Sequence, residues 1–271
     1  MADAIRLHRI DPGTRVNLSS IDPADTSAAP GDKQTTILTG FPMAERLAAL
    51  QDRLWARAHE RVLVVLQGMD TAGKGGTVKR VLGAVNPAGL RVTSFKAPTS
   101  TELARDYLWR VHAVVPAKGE IGVFDRSHYE DVLAVRVQEL APEERWSKRY
   151  DHINAFEQML VDEGTTIVKI LLHISKGEQR KRLQSRLDDP RKHWKFRLSD
   201  LDARAEWSDY QTAFEAMLER TSTEHAPWYV VPADKKWYRD WAVATILIAT
   251  LEGMDLTWPD SPDDIAGVVI E

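Results

Sequence analysis

Short, branched apolar runs recur along the chain, each separated from the next by a longer segment whose apolar residues follow a helical spacing. The runs are Val62–Leu66, Leu90–Phe95, Ile121–Phe124, Ile167–Ile174 and Trp228–Val231. Each is short and carries β-branched residues, so each reads as a strand, with Val62–Leu66 and Ile121–Phe124 as buried ones. Between them, MAERLAALQDRLWARAHE places Leu47, Leu50 and Leu54 on one helical face, and helices are expected over Lys74–Val85, Thr101–Val115 and the interval Tyr129–Glu163. Strands separated by helix-length segments need crossover connections. The pattern therefore predicts an α/β chain, a parallel sheet covered by helices on both faces in three α/β/α layers.

The first 40 residues break this pattern. They are rich in Pro, Gly, Ser, Thr and Asp without sustained periodicity, which predicts an extended N-terminal arm over 1–40 preceding a catalytic domain over 41–271. An arm of this kind caps its own core or lies on a neighbour, and with the long helices it suggests a homo-oligomer, a dimer or tetramer. The length of 271 residues suits one large core. A net charge of −4 argues against a nucleic-acid binder working through bulk charge. The absence of cysteine removes thiol chemistry and fits a cytoplasmic protein. The longest apolar stretch, Trp241–Leu251, is too short to span a bilayer and reads as a buried helix, so no membrane partner is expected.

The first strand runs directly into chemistry. In VLVVLQGMDTAGKGGTVKRVL, the order is buried strand, glycine-rich turn, lysine and helix. Gly68, Gly73 and Gly75 let the backbone bend around an anion, and the helix start offers unpaired N–H groups and a positive dipole end. Lys74 adds a mobile full charge. Gly68 to Lys74 has the GxxxxGK spacing of a phosphate-binding loop in its proper strand–helix context. A glycine-rich turn with an incidental lysine is the bland alternative. The next residue is Gly75, where Ser or Thr normally offers a hydroxyl to magnesium. Magnesium must then be met by other groups, of which Asp70 is the first candidate and Thr77 the second.

A second carboxylate arrives at the end of Ile121–Phe124, where the chain reads Asp125-Arg126-Ser127-His128-Tyr129-Glu130-Asp131. Ligands of open parallel sheets bind at that edge, so Asp125 pairs with Asp70 as a metal-binding candidate and Arg126 is placed to neutralise a transferring phosphoryl group. Capping of the following turn is the alternative reading for Asp125 and the better one for Ser127. His128 reads as a hydrogen-bonded structural residue. Residues 180–197, RKRLQSRLDDPRKHWKFR, carry eight Lys or Arg against two Asp. Asp188-Asp189-Pro190 interrupts the helical pattern, so two helices joined by a turn form a mobile lid over about 180–205. Arg186, Lys192 and Lys195 are its leading anion-binding candidates, while Lys181 and Arg182 read equally well as a solvated face.

Taken together, GMDTAGKGG at 68–76, FDRSHYEDVL at 124–133, RLDDPRKHWKF at 186–196 and APWYVVPADKKWYRD at 226–240 resemble the polyphosphate kinase 2 family. The resemblance spans roughly residues 40–255. It implies a P-loop kinase fold with a helical lid, and a magnesium-dependent transfer of the terminal phosphoryl group of inorganic polyphosphate to a nucleotide. By that resemblance, Asp70 binds metal or orients the acceptor, Lys74 holds phosphate, and Asp125 and Arg126 complete the site. The phosphate and nucleotide cradle comprises Gly68, Ala72, Gly73, Gly75, Gly76, Thr77 and Glu130, with Arg186, Lys192 and Lys195 on the polyphosphate. SHYEDVL is similar to the group accepting both AMP and ADP, with Glu130 at the discriminating position. An ATP-dependent nucleoside monophosphate kinase and a nonenzymatic P-loop regulator are the competing readings. Which of acceptor phosphate or polyphosphate end lies in the loop stays open.

Overall fold

Six strands, β1 (Arg9–Ile10), β2 (Arg61–Gln67), β3 (Leu90–Ser94), β4 (Ile121–Asp125), β5 (Thr165–His173) and β6 (Trp228–Pro232), form one sheet in the computed structural model. It describes residues 6–261, 263 and 268–270. The strand order is β1-β6-β5-β2-β4-β3. Strands β2 to β6 pair in parallel, as the crossover argument requires, whereas β1 runs antiparallel to β6. Part of the N-terminal segment is thus a sheet strand, pairing Arg9 with Tyr229 and Ile10 with Trp228. Two residues flanked by turn formers carry no periodic signal, so nothing in the pattern marks them.

The longer helices are α1 (Lys33–Leu38), α2 (Gly40–Arg57), α3 (Lys74–Val81), α4 (Arg149–Asp162), α5 (Lys176–Asp188), α6 (Ser199–Ala205), α7 (Trp207–Thr221) and α8 (Lys236–Gly253). Helices α1, α2 and α3 pack against α8, and α4 packs against α7 and β5. The apolar stripe of α2 buries Leu47, Leu50 and Leu54 as its spacing predicts, and Trp228, Tyr229 and Val230 lie in the core. Among the described residues no helix is long and apolar enough to cross a membrane.

Two expected helices are broken by side chains that satisfy backbone groups locally. Over 101–115 there are two short turns, Ser100–Leu103 and Trp109–His112, because Asp106 accepts from the N–H groups of Leu108 and Trp109 and restarts the chain. Over 129–163 the backbone forms a 3-10 turn at His128–Asp131, is interrupted before Pro142, and becomes a long helix only at Arg149. Helix α3 ends at Val81 rather than Val85. These breaks leave the parallel strands untouched, since each is specified by its own short segment of apolar and β-branched residues.

The strand order positions the site. β2 lies between β4 and β5, so the chain leaves it toward one half of the sheet and later returns to the other, and a crevice opens where the order reverses. Leu66 is paired with Asp125, which sets the end of β4 beside the start of the glycine-rich turn.

Candidate active site

The turn after β2 is shaped by positions that only certain residues tolerate. Gly68 has φ of +145°, and a Cβ there would come 2.7 Å from the Leu172 carbonyl oxygen. Gly73 has φ of +109°, and a Cβ would come 2.0 Å from Arg239 Nη1. Both must be glycine. The loop closes with Ala72 N–H donating to the Met69 carbonyl at 3.0 Å, and Gly73 then caps α3, whose first turn carries the exposed Gly75 and Gly76. Lys74 folds back over the turn, donating to the Gly68 carbonyl at 2.8 Å. Burial pushes its ammonium pKa below the ordinary lysine value, the nearby Arg126 adds to that, and Asp70, Asp125 and Glu130 pull the other way. Lysine is therefore surrounded by every charged group the FDRSHYE segment and the loop were expected to supply.

Arg126 ties those groups together. It stands at φ of +63°, a left-handed conformation that costs about 1–2 kcal/mol for a side chain of this kind. Its N–H continues the β2–β4 ladder by donating to the Leu66 carbonyl. From that turn the guanidinium reaches Asp70 Oδ1 at 2.5 Å and Glu130 Oε2 at 3.4 Å. Glu130, first, and then Asp70 raise its pKa further, so it stays charged. The Gln67 amide, with its nitrogen facing Glu130, donates to Oε1 at 3.1 Å. Asp70, Arg126 and Glu130 thus form one chain across the crevice mouth.

Asp125 closes the set. Its Oδ2 is 3.7 Å from where a Cβ at Gly75 would sit, so the carboxylate faces the bare first turn of α3. Ser127, as expected, caps the 3-10 turn by accepting from Tyr129 N–H. Asp125 does not cap it. Asp125 faces the exposed glycine pair and Asp70 is held by Arg126, and two such carboxylates suit magnesium, which keeps several waters and takes one or two carboxylates along with phosphate oxygens. Among the described residues no group of three or more His, Cys, Asp or Glu makes an all-protein cage. Thr77 is buried on α3, and its Oγ1 has no hydrogen-bond partner among the described residues.

Beneath the 3-10 turn lies a buried polar cluster. Lys169, at the middle of β5, donates to Glu157 Oε2 at 2.6 Å, Tyr129 Oη at 2.9 Å and the Thr221 carbonyl at 2.6 Å. His128 bonds Glu157 at 3.2 Å and Tyr129 Oη donates to it at 2.7 Å, so Lys169, Tyr129 and His128 meet on one carboxylate. His128 is structural, as its position suggests, and the cluster holds the turn that carries Arg126 and Glu130.

The lid candidates are arranged otherwise. Arg186 donates to Asp200 at 3.1 Å and to the Lys195 carbonyl at 2.8 Å. Lys192 meets Asp189 at 3.2 Å, and Lys195 stands 4.9 Å above the Trp194 ring. Among the described residues no hydrogen bond or ion pair joins any of the three to the phosphate-binding loop. Lys181 is exposed, but Arg182 is buried behind the loop: it donates to the carbonyls of Thr71 and Ala72 at 3.0 and 2.8 Å and to those of Ala233 and Asp234. Arg239 adds a bond to the Ala72 carbonyl at 3.4 Å, and Gln179 donates to the Asp70 carbonyl at 3.3 Å. Gln179 and Arg239 escaped the sequence reading, and Arg182, there an even choice between anion binding and a solvated face, is buried on the loop instead. Gln179, Arg182 and Arg186 recur at intervals of three and four, a spacing that puts them on one helical face with Leu183 but does not mark their main-chain partners.

A family model described as Polyphosphate kinase 2 matches residues 32–258. The chain belongs to the polyphosphate kinase 2 family. It is 54% identical over 267 residues to the AMP/ADP-polyphosphate phosphotransferase of Meiothermus ruber, covering 98% of this chain and 100% of that protein. It is 45% identical to the ADP-polyphosphate phosphotransferase of Rhodopseudomonas palustris, over 80% of this chain and 79% of that one. The crystal structure of polyphosphate kinase 2 from Arthrobacter aurescens superposes with a TM-score of 0.92 at 48% identity, covering 96% of this chain and 92% of that one. As a member of this family, the chain has the P-loop kinase-like α/β fold that its loop and strand pattern predicted.

Proposed function

We propose that this protein transfers the terminal phosphoryl group of inorganic polyphosphate to AMP and to ADP, with magnesium. The observation that carries the reading is the convergence of Lys74, Asp70, Arg126, Glu130 and Asp125 at the switch point of the sheet, in a chain matching an AMP/ADP-polyphosphate phosphotransferase over nearly its full length. An oxygen of the acceptor's terminal phosphate bonds to the terminal phosphorus of the polyphosphate, and the bond from that phosphorus to its bridging oxygen breaks. The remaining polyphosphate leaves one unit shorter, carrying the electron pair. Because the attacking oxygen is already anionic, no strong base is required, and alignment with charge neutralisation sets the rate.

Lys74 and the N–H groups at the start of α3 bind phosphate oxygens, and Arg126 meets charge on the moving group. Asp125, with Asp70, would hold magnesium, which supplies further neutralisation of the phosphate oxygens. Glu130, held by Arg126 and Gln67, lies at the acceptor side and favours the smaller AMP as well as ADP. Arg186, Lys192 and Lys195 engage the polyphosphate chain once the lid closes and exchanges its internal ion pairs for phosphate. A cytoplasmic location and a homo-oligomer, a dimer or tetramer, complete the reading. The apolar side chains exposed at Ile37, Leu38 and Phe41 support association.

The test supplies the purified protein with magnesium, AMP or ADP, and either polyphosphate or ATP as sole donor. Product from polyphosphate with both acceptors is expected. Product from ATP and AMP alone would identify an ordinary nucleotide kinase, and product from neither would leave a nonenzymatic phosphate-loop protein.

A further inference from the structure

Behind the phosphate-binding loop, two buried guanidinium groups converge on a single peptide. The Ala72 carbonyl accepts from Arg182 Nη1 at 2.8 Å and from Arg239 Nη1 at 3.4 Å, and the same nitrogen of Arg182 reaches the Thr71 carbonyl at 3.0 Å. In a trans peptide the C=O and the following N–H point in opposite directions. Fixing the Ala72 carbonyl toward the guanidiniums therefore aims the Gly73 N–H away from them, and among the described residues that N–H has no backbone acceptor. Gly73 stands at φ of +109°, where a glycine rotates at little cost, so nothing in the residue itself holds the peptide in one orientation. Turned the other way, the Ala72 carbonyl would present its negative end to a bound phosphate.

We infer that Arg182 is a positioning residue: it locks the Ala72–Gly73 peptide with its N–H toward bound phosphate and ties that peptide to the lid helix. The second link is as direct as the first. Arg182 sits on α5, the first lid helix, where its Nε bonds Glu178 at 2.8 Å, and its Nη2 spans to the carbonyls of Ala233 at 2.6 Å and Asp234 at 3.1 Å in the turn before α8. The N-terminus of α5 is fixed to the same turn, since Asp234 accepts from both Ser175 N–H and Oγ at 2.8 Å. One guanidinium thus joins the loop, the lid helix and the β6–α8 turn. A lysine keeps the charge but has one nitrogen in place of a planar fork, so it does not reproduce the separate Nε, Nη1 and Nη2 bonds.

This role rests on the loop's being a phosphate site, and the experiment separates the two claims. Only three Ala-Gly pairs occur in the sequence, at 72–73, 88–89 and 266–267. Full-length protein labelled with carbonyl-carbon-13 alanine and nitrogen-15 glycine therefore gives a sparse amide spectrum in which Gly73 is assigned directly. Titration with tripolyphosphate and magnesium is expected to move the Gly73 resonance in the wild type. In Arg182→Lys that shift is lost, tripolyphosphate binding weakens at least ~10-fold and kcat falls by at least ~10-fold, as loss of a charged hydrogen bond at a phosphate cradle implies, with the circular dichroism spectrum retained. In Arg182→Ala, millimolar ethylguanidine restores part of the lost turnover, whereas ethylammonium does not. A Gly73 shift and turnover in Arg182→Lys equal to wild type would overturn the positioning role. No shift at Gly73 in the wild type would instead overturn the phosphate reading of the loop, and the positioning role with it.

Discussion

Replacing Gly73 by alanine and Gly75 by alanine puts one methyl group at two positions of the same loop, with opposite expected effects. At Gly73 the methyl group is forced onto φ of +109°, a strain of about 1–3 kcal/mol. It also stands 2.0 Å from Arg239 Nη1, so the buried guanidinium must move and its bond to the Ala72 carbonyl is lost, about 1 kcal/mol more. The sum is about 2–4 kcal/mol, or a fall in Tm of roughly 4–8 °C for a chain of this size. At Gly75, inside the first turn of α3, the nearest atom is Asp125 Oδ2 at 3.7 Å, an ordinary contact, and alanine gains up to about 1 kcal/mol over glycine in a helix. Calorimetry of both variants reads the contrast, and phosphotransfer by Gly73→Ala is expected to fall at least ~100-fold through misplacement of the cradle. Wild-type Tm and activity in Gly73→Ala would refute the description of the loop's back wall.

Lys74→Met and Asp125→Asn are expected to lower kcat by at least ~100-fold with Tm within a few degrees, since each removes charge stabilisation at the reacting group. Steady-state kinetics with polyphosphate and ADP checks this, and near-normal turnover in either would misplace the site. Breaking the buried pair by Lys169→Met leaves Glu157 uncompensated and costs about 3–5 kcal/mol, most of which the double variant Lys169→Met/Glu157→Leu recovers; urea titration compares the three proteins. Burial pushes the Asp131 carboxyl up to about 6, outweighing the attraction of Arg149. A folded pKa above the unfolded one means that stability is greatest below the unfolded value, declines as pH rises through about 4 to 6, and is level above. Asp131→Asn is expected to remove that decline, at most about 3 kcal/mol, in urea unfolding measured across the range.

What could be read from the sequence was whatever the chain encodes locally. The parallel strands were legible because each is a short segment rich in apolar and β-branched residues, and the loop was legible because strand, glycines, Lys74 and helix follow one another within the 21 residues from Val62 to Leu82. Asp125 followed from its place at the C-terminal end of β4, directly after the apolar run Ile121–Phe124. The helices over 101–115 and 129–163 were over-extended because Asp106 and the chain before Pro142 satisfy the backbone in turns, a competition that periodicity does not register. The loop contacts of Arg182 and Arg239 were invisible for a different reason. Their partner, the Ala72 carbonyl, is 110 and 167 residues away, and a main-chain oxygen leaves no trace in a sequence. Seen from the sequence, Arg182 is one cation in a basic run, and only packing separates it from the exposed Lys181 beside it.

In the proposed reaction, polyphosphate itself supplies the phosphoryl group at the Lys74–Asp125 site. Phosphorus-31 NMR of wild-type protein with magnesium, ADP and polyphosphate tests it directly, because each resonance belongs to one position. The expected result is a γ-phosphate signal of ATP growing in step with the shortening of polyphosphate, one unit per ATP, with no build-up of free phosphate and no reaction in Lys74→Met. Free phosphate in place of ATP, or ATP formed equally well by Lys74→Met, would contradict it.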